Sequence, residues 1–240
     1  MWSNINLERC FSYINCHLAA AAQRGPPVKP AITISRECGS GGRTVASKLV
    51  EILKDYAPAG CKWAVFDWKL IEKVLEDHHL SKRIAEFLPE DHKSVLADTL
   101  EELLGLHPPL ETLMKQTAET IWSLAEMGYV ILVGLGANVI TQKLPNVFHI
   151  RLVGSLERRI ERVQEVYELS RLEAREFIHR RETGKRRYLK EHFGKDIDDP
   201  LLYHLVINTD QISYENTARL VAHTVIERFQ LEPSGKAMAA

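Results

Sequence analysis

The sequence predicts an α/β fold in which a five-stranded parallel sheet is covered by helices on both faces. Three observations predict it. Five short apolar runs, at 31–35, 63–66, 129–133, 147–152 and 205–208, alternate with longer segments whose apolar residues recur at three- and four-residue steps. The runs are largely apolar along their whole length, as strands buried on both faces are. The polar and glycine-rich clusters all follow the ends of these runs, and ligands of such sheets sit at the carboxyl ends of the strands.

The elements follow in order. In residues 5–18, Leu7, Phe11, Ile14 and Leu18 make an apolar stripe, so an amphipathic helix precedes the main fold and Gly25-Pro26-Pro27 ends it. That stripe covers either an edge of the core or a homodimer contact. The first strand, Ala31-Ile32-Thr33-Ile34-Ser35, runs through a glycine-rich turn into a helix with Val45, Leu49, Ile52 and Leu53 on one face. The second strand ends at Asp67, and helical patterns broken at Leu88-Pro89 and at 105–109 follow it. A helix through Leu113, Thr117, Ile121 and Leu124 stops at Gly128, a residue suited to the left-handed position beyond a helix end. The third strand leads into Gly134-Leu135-Gly136-Ala137-Asn138 and a short helix closed by Pro145. Ser155 caps the helix after the fourth strand, and Ser170-Arg171-Leu172-Glu173 has the spacing of a capping box. Gly194 and Asp198-Asp199-Pro200 turn the chain into the fifth strand, and a last helix carries Ala218, Val221, Ala222, Val225 and Phe229. The tail, 233–240, is expected to be disordered.

Bulk properties narrow the function. A net charge of -1 over 240 residues provides no broad basic field, which argues against nucleic acid as a partner. The most apolar stretch, 129–133, is too short to cross a membrane, and Glu8 and Arg9 interrupt the segment where a signal peptide is unbroken. Cys10, Cys16, Cys38 and Cys61 form no CxxC pair or regular framework, and a reducing, cytoplasmic setting is expected.

The sharpest local signal is the turn after the first strand, Arg36-Glu37-Cys38-Gly39-Ser40-Gly41-Gly42-Arg43-Thr44. A P-loop reads G-x-x-x-x-G-K-[ST], with backbone N–H groups around phosphate, a cation on the outer phosphates and a hydroxyl on magnesium. Gly42, Arg43 and Thr44 take its last three places; Glu37 stands at the first glycine and arginine replaces lysine. Gly39, Ser40, Gly41 and Gly42 still allow close backbone approach, and the helix beginning near Arg43 adds its positive end. The plainer reading is a glycine-rich connection between strand and helix. Phosphate binding is favoured because the loop lies between a strand and a helix, as the motif requires.

Residues 32–43 resemble the opening of the cytidylate kinase-like family of P-loop kinases. Phe66-Asp67-Trp68-Lys69-Leu70-Ile71, Val133-Gly134-Leu135-Gly136-Ala137-Asn138, Asn146-Val147-Phe148-His149-Ile150-Arg151-Leu152, and Phe193-Gly194-Lys195-Asp196 with Asn208-Thr209 resemble it in the same order. The similarity covers about residues 31–230, and in this family Glu37 and Arg43 are the usual loop residues. It implies a three-layer nucleoside-monophosphate kinase fold over 30–232, preceded by the helical extension of 1–29. It also implies an acceptor-binding helical insertion at 67–112 and a basic lid at 163–200. ATP and Mg2+ are the implied cofactors, nucleotides the partners, and phosphoryl transfer to a cytidylate-like monophosphate the activity. The family typically carries arginine at Leu135 and often an acidic–basic pair at Glu182-Thr183.

Phosphoryl transfer requires positioning, charge neutralisation and exclusion of water. Arg43, Arg162, Arg181 and Lys185 are the candidate catalytic cations, within a cluster that includes Arg158, Arg159, Arg180, Arg186 and Arg187. A solvated helix face paired with Glu157, Glu161, Glu176 and Glu182 is the competing reading. Thr44 and Asp67 are the candidate magnesium ligands, and Asp67, Lys69, Gly136 and Asn138 the candidate acceptor contacts. For Asp67 a helix cap is the equal alternative. His78 and His79, adjacent on a helix, point about 100° apart and suggest no metal site. Trp63, Trp68 and Trp122 read as packing. Two other functions stay open: a regulatory nucleotide-binding protein with weak or no catalysis, and a kinase of another small molecule on the same scaffold.

Overall fold

The computed structural model describes residues 12–14, 16, 29–57, 61–67 and 110–234, with 110–114 by backbone alone. Lys69, Trp68, His78, His79 and nearly all of the expected acceptor insertion lie outside the described residues.

The strands are β1 (Ala31–Arg36), β2 (Ala64–Asp67), β3 (Val130–Val133), β4 (Val147–Val153) and β5 (Leu205–Asn208). All pair in parallel in the order β2-β3-β1-β4-β5, with Ile34 opposite both Val133 and Ile150 and with Val153 opposite Asn208. The central strand β1 is buried from Ala31 to Ser35. Its β-branched residues suit a pleated surface packed on both sides. The helices are α1 (Gly42–Leu53), α2 (Leu110–Met127), α3 (Ala137–Ile140), α4 (Leu156–Tyr167), α5 (Arg171–Phe193) and α6 (Tyr214–Phe229). Helix α1 packs on α6 and α2 on α3, and these pairs make the two outer layers.

Local signals set most boundaries. Ser155 Oγ accepts from Arg158 N, and Ser170 with Glu173 closes the expected capping box. Glu173's carboxyl lies below its usual range because the Ser170 side chain and backbone hydrogen-bond its charged form. The backbone N–H of Gly128 closes α2 onto Leu124 O at 3.2 Å. Ser234, expected in the free tail, donates its N–H to Asp55 O at 2.8 Å.

One core runs through the sheet, with Phe66, Trp122, Ile32 and Ile34 fully enclosed. Tyr13 and Ile14 of the amino-terminal helix are buried in it, and Tyr13 meets Phe66 edge-on at 5.7 Å. Tyr13 and Ile14 therefore face the chain's own core, while Ser12 is exposed. Next to them Cys16 and Cys61 form a disulfide, with Cα atoms 5.7 Å apart. This corrects the expectation of unpaired cysteines: a separation of 45 residues has no spacing signature, and the helix alone brings the two together. Cys38 is free.

A buried histidine, bonded to an exposed one, gives the sheet a pH response. His149 on β4 shares a 2.7 Å hydrogen bond with Thr33 Oγ1 and donates its backbone N–H to His204 Nδ1 at 2.9 Å. Burial, then the neighbouring His204 and Arg228, push His149 down to about 3. Unfolding returns it to about 6.5, so the unfolded chain binds the extra proton first. The stability is complete above pH 6.5 and is lost as pH falls towards 3. Between pH 6 and pH 4 this one group contributes a slope of about 1.4 kcal/mol per pH unit. Urea titrations should show His149→Gln removing about one proton's worth of that slope, whereas an unchanged slope refutes the assignment.

Candidate active site

At the end of β1 the chain turns through Glu37, Cys38, Gly39, Ser40 and Gly41 and enters α1. Gly39 (φ 90) and Gly41 (φ 83) are left-handed. A Cβ on Gly39 would lie 2.6 Å from Arg159 O, and one on Gly41 would fall inside the Tyr214 ring's contact distance, with Cδ1 at 2.7 Å. Conformation and space both demand glycine there. Buried Ser40 holds the loop from below, its Oγ lying 2.9 Å from Glu37 O and 3.2 Å from Leu152 O. Glu37 explains its own presence: its carboxylate accepts from Gly154 N at 2.9 Å and faces Arg159 Nε at 3.4 Å, tying the loop to the turn after β4.

This bracing leaves the inner amides free. The backbone N–H groups of Gly39, Gly41, Gly42, Arg43 and Thr44 make no hydrogen bond to another described residue. The first turn of α1 carries no acidic side chain to neutralise its positive end. Converging N–H groups on a helix start form an anion cradle. Such a cradle suits phosphate groups.

Cations and oxygens gather around it. Arg43, well exposed, pairs with Asp67 at the end of β2 at 2.7 Å. Arg162 NH2 donates to Thr44 Oγ1 at 3.2 Å and lies 5.6 Å from the Tyr214 ring centre. From α5, Lys185 Nζ donates to Arg36 O at 3.0 Å and to Glu182 Oε1 at 2.8 Å. The same Glu182 oxygen accepts from Cys38 N at 2.6 Å, so α5 is latched to the loop. Burial alone would raise the Glu182 carboxyl, but Lys185, the Cys38 N–H and Arg159 together hold it low. Burial lowers Lys185, and the Arg36 guanidinium adds to that effect.

The expected residues therefore meet at the carboxyl ends of β1, β2 and β3. Gly39, Ser40, Gly41, Gly42, Arg43 and Thr44 form the cradle, Asp67 and Arg162 touch it, and Lys185 reaches its rim. Gly136 and Asn138, with Arg181, line a neighbouring cleft of about 440 Å3 under α5. The wider basic cluster divides, for Arg158 pairs with Glu161 and Arg186 with Asp198. Arg159, expected in the basic cluster, and Glu182, expected as a pairing partner in the lid, brace the loop, and Arg36, assigned no role from the sequence, stands beside them. Arg36 had one available signal, its place directly after the central strand.

No protein of curated function matches the chain. Among solved structures, an uncharacterized protein from Eubacterium ventriosum ATCC 27560 is 19% identical over 83% of this chain and 99% of that one, with a TM-score of 0.64. This shows the fold. The APS kinase of Mycobacterium tuberculosis, in complex with AMPPNP and APS, is 15% identical with a TM-score of 0.45, covering 84% of this chain and 99% of that one. Shikimate kinase from Bacteroides thetaiotaomicron is 13% identical with a TM-score of 0.45, over 84% and 99%. In sequence, residues 31–211 match the cytidylate kinase-like family along with its atypical glycine loop, and the chain belongs to that family.

Proposed function

We propose that the chain transfers a phosphoryl group from ATP to a nucleoside monophosphate, a cytidylate-like acceptor being favoured. The observation that carries this reading is the set of five unpaired amides at Gly39 and 41–44, framed by Arg43 and Lys185. Residues 30–232 form the catalytic unit, with 67–112 as the acceptor insertion and 163–200 as the lid. The amides bind and orient the donor phosphates; Arg43 leaves Asp67 to neutralise the group being transferred. Arg162 and Lys185 hold α4 and α5 against the loop and keep water from the reacting oxygens. Thr44 Oγ1 and the Asp67 carboxylate are hard oxygens at adjoining element ends, a donor set that fits Mg2+, which also takes phosphate oxygens. Magnesium, when bound, neutralises charge on the phosphates.

The test incubates the protein with ATP, Mg2+ and each nucleoside monophosphate in turn, following ADP formation beside an Arg43→Ala control. Turnover with one or more monophosphates is expected; ATP binding without turnover on any of them overturns the reading. One observation favours a second reading, a nucleotide-binding regulator: Leu135 packs on the core where the family typically places a charged arginine. Turnover separates the two.

A further inference from the structure

Arg36 is an unusual residue to find at the end of a central strand. Its side chain threads between two glycines: a Cβ on Gly42 would lie 2.8 Å from Arg36 Cγ, and one on Gly134 would lie 2.8 Å from Arg36 Cζ. The turns after β1 and β3 are thus shaped around this guanidinium. It opens into the 440 Å3 cleft that Asn138, Arg181, Lys185 and Tyr188 also line. Among the described residues its guanidinium has neither an ion pair nor a hydrogen bond. A buried group beside it is also unsatisfied, and an exposed cation stands on the same cleft. Asn138 is 4% exposed, and its side-chain Nδ2 has no hydrogen-bond partner. Arg181 stacks on the Phe177 ring at 4.7 Å and makes no ion pair among the described residues. Buried donors without acceptors are costly and point to a missing acceptor.

The local charges indicate what that acceptor is. Arg43 pairs with Asp67 and Lys185 with Glu182. Arg36 and Arg181 are left as two cations on one cleft with no ion pair of their own among the described residues. Burial, and then the nearby Arg43, depress the Arg36 guanidinium, as expected of a cation awaiting an anion. Two guanidinium forks match a dianionic phosphate better than a single carboxylate.

We infer that Arg36, assisted by Arg181, holds the phosphomonoester dianion of the acceptor substrate in this cleft, with the Asn138 amide donating to the same molecule. The inference rests on the proposed phosphoryl transfer at the adjoining glycine loop and adds to it an acceptor-binding residue and a charge requirement. No covalent step is assigned to Arg36.

Direct binding tests it without turnover. The full chain is titrated calorimetrically with CMP, AMP, GMP, UMP and ribose 5-phosphate, with cytidine as the uncharged control and a non-hydrolysable ATP analogue in a separate series. At least one phosphomonoester should bind, and cytidine at least ~10-fold more weakly than CMP if CMP is that ligand. Arg36→Met should weaken the phosphomonoester ~100-fold and Arg181→Ala ~10-fold, with the ATP analogue within ~3-fold of wild type in both. Arg36→Lys should recover part of the loss, since it restores charge without the fork. Should Arg36→Met fail to fold, the exposed Arg181→Ala decides, and full phosphomonoester affinity in that variant overturns the inference. It is also overturned if no phosphomonoester binds, or if the ATP analogue weakens by the same factor, which would place Arg36 in the donor site. If the analogue fails to bind wild type while a phosphomonoester binds through Arg36, the inference stands and the proposed donor reaction falls.

Discussion

Arg43→Ala is expected to lower the rate of the proposed ATP-dependent phosphoryl transfer roughly a thousandfold while leaving the fold intact. The magnitude follows from what the side chain does in each state. In the free protein Arg43 is 58% exposed on its side chain and pairs with Asp67 at 2.7 Å. A surface pair of that kind contributes under about 1 kcal/mol, so its loss shifts thermal unfolding little. In the proposed reaction the same guanidinium, at the start of α1 beside five free amides, meets the charge of the transferred group. Removing one preorganised donor from such a site costs about 3–4 kcal/mol of transition-state stabilisation. Arg43→Lys should restore a fraction, because the charge returns without its bidentate fork. Rates of ADP formation and a melting curve for each variant check this together. A rate within fivefold of wild type for Arg43→Ala would remove Arg43 from the reaction.

Most of the fold and part of the site were legible in sequence, and the division has a physical basis. Ser155, Ser170 with Glu173, and Gly128 each act on groups within four residues, so the chain announces them locally. The strand runs were legible because burial on both faces leaves a continuous apolar stretch. The glycine cradle was legible because its amides come from consecutive residues. By contrast, Glu182 meets Cys38 across 144 positions and Glu37 meets Gly154 across 117. Cys16 meets Cys61 only because the amino-terminal helix packs on the core. None of these pairings leaves a mark in either partner's neighbourhood. The surroundings of Arg36 belong to the same class, since they come from Gly134 in the turn after β3 and from α5.

The loop also shows how a motif absorbs an apparent defect. The P-loop pattern has glycine where this chain has Glu37, and a small residue there permits close packing. Here the same position carries a carboxylate bound by Gly154 N and faced by Arg159, itself buried beneath the loop. Rigidity comes from this long-range anchor rather than from a missing side chain. The free amides are left to Gly39 and to residues 41–44 further along.

Gly41→Val should therefore be the most damaging single change in the loop, abolishing measurable ATP binding and lowering stability by about 2–4 kcal/mol. Two separate effects add. At φ 83 a β-branched residue is strained by about 1–3 kcal/mol wherever it is placed. The new Cβ also drives into the Tyr214 ring, whose Cδ1 would lie 2.7 Å away. Relief by moving the loop displaces the amides that face the phosphates, so strain at one residue becomes loss of the cradle. A double-mutant comparison separates the two effects. Removing the ring in Gly41→Ala with Tyr214→Ala should recover the steric share of the stability loss but not the share due to the left-handed backbone. Denaturant unfolding and ATP titration of the two single variants and the double variant give the coupling directly. Strict additivity would mean that Gly41 and Tyr214 do not contact each other, whereas full recovery of binding in the double variant would mean that the backbone conformation at Gly41 is dispensable.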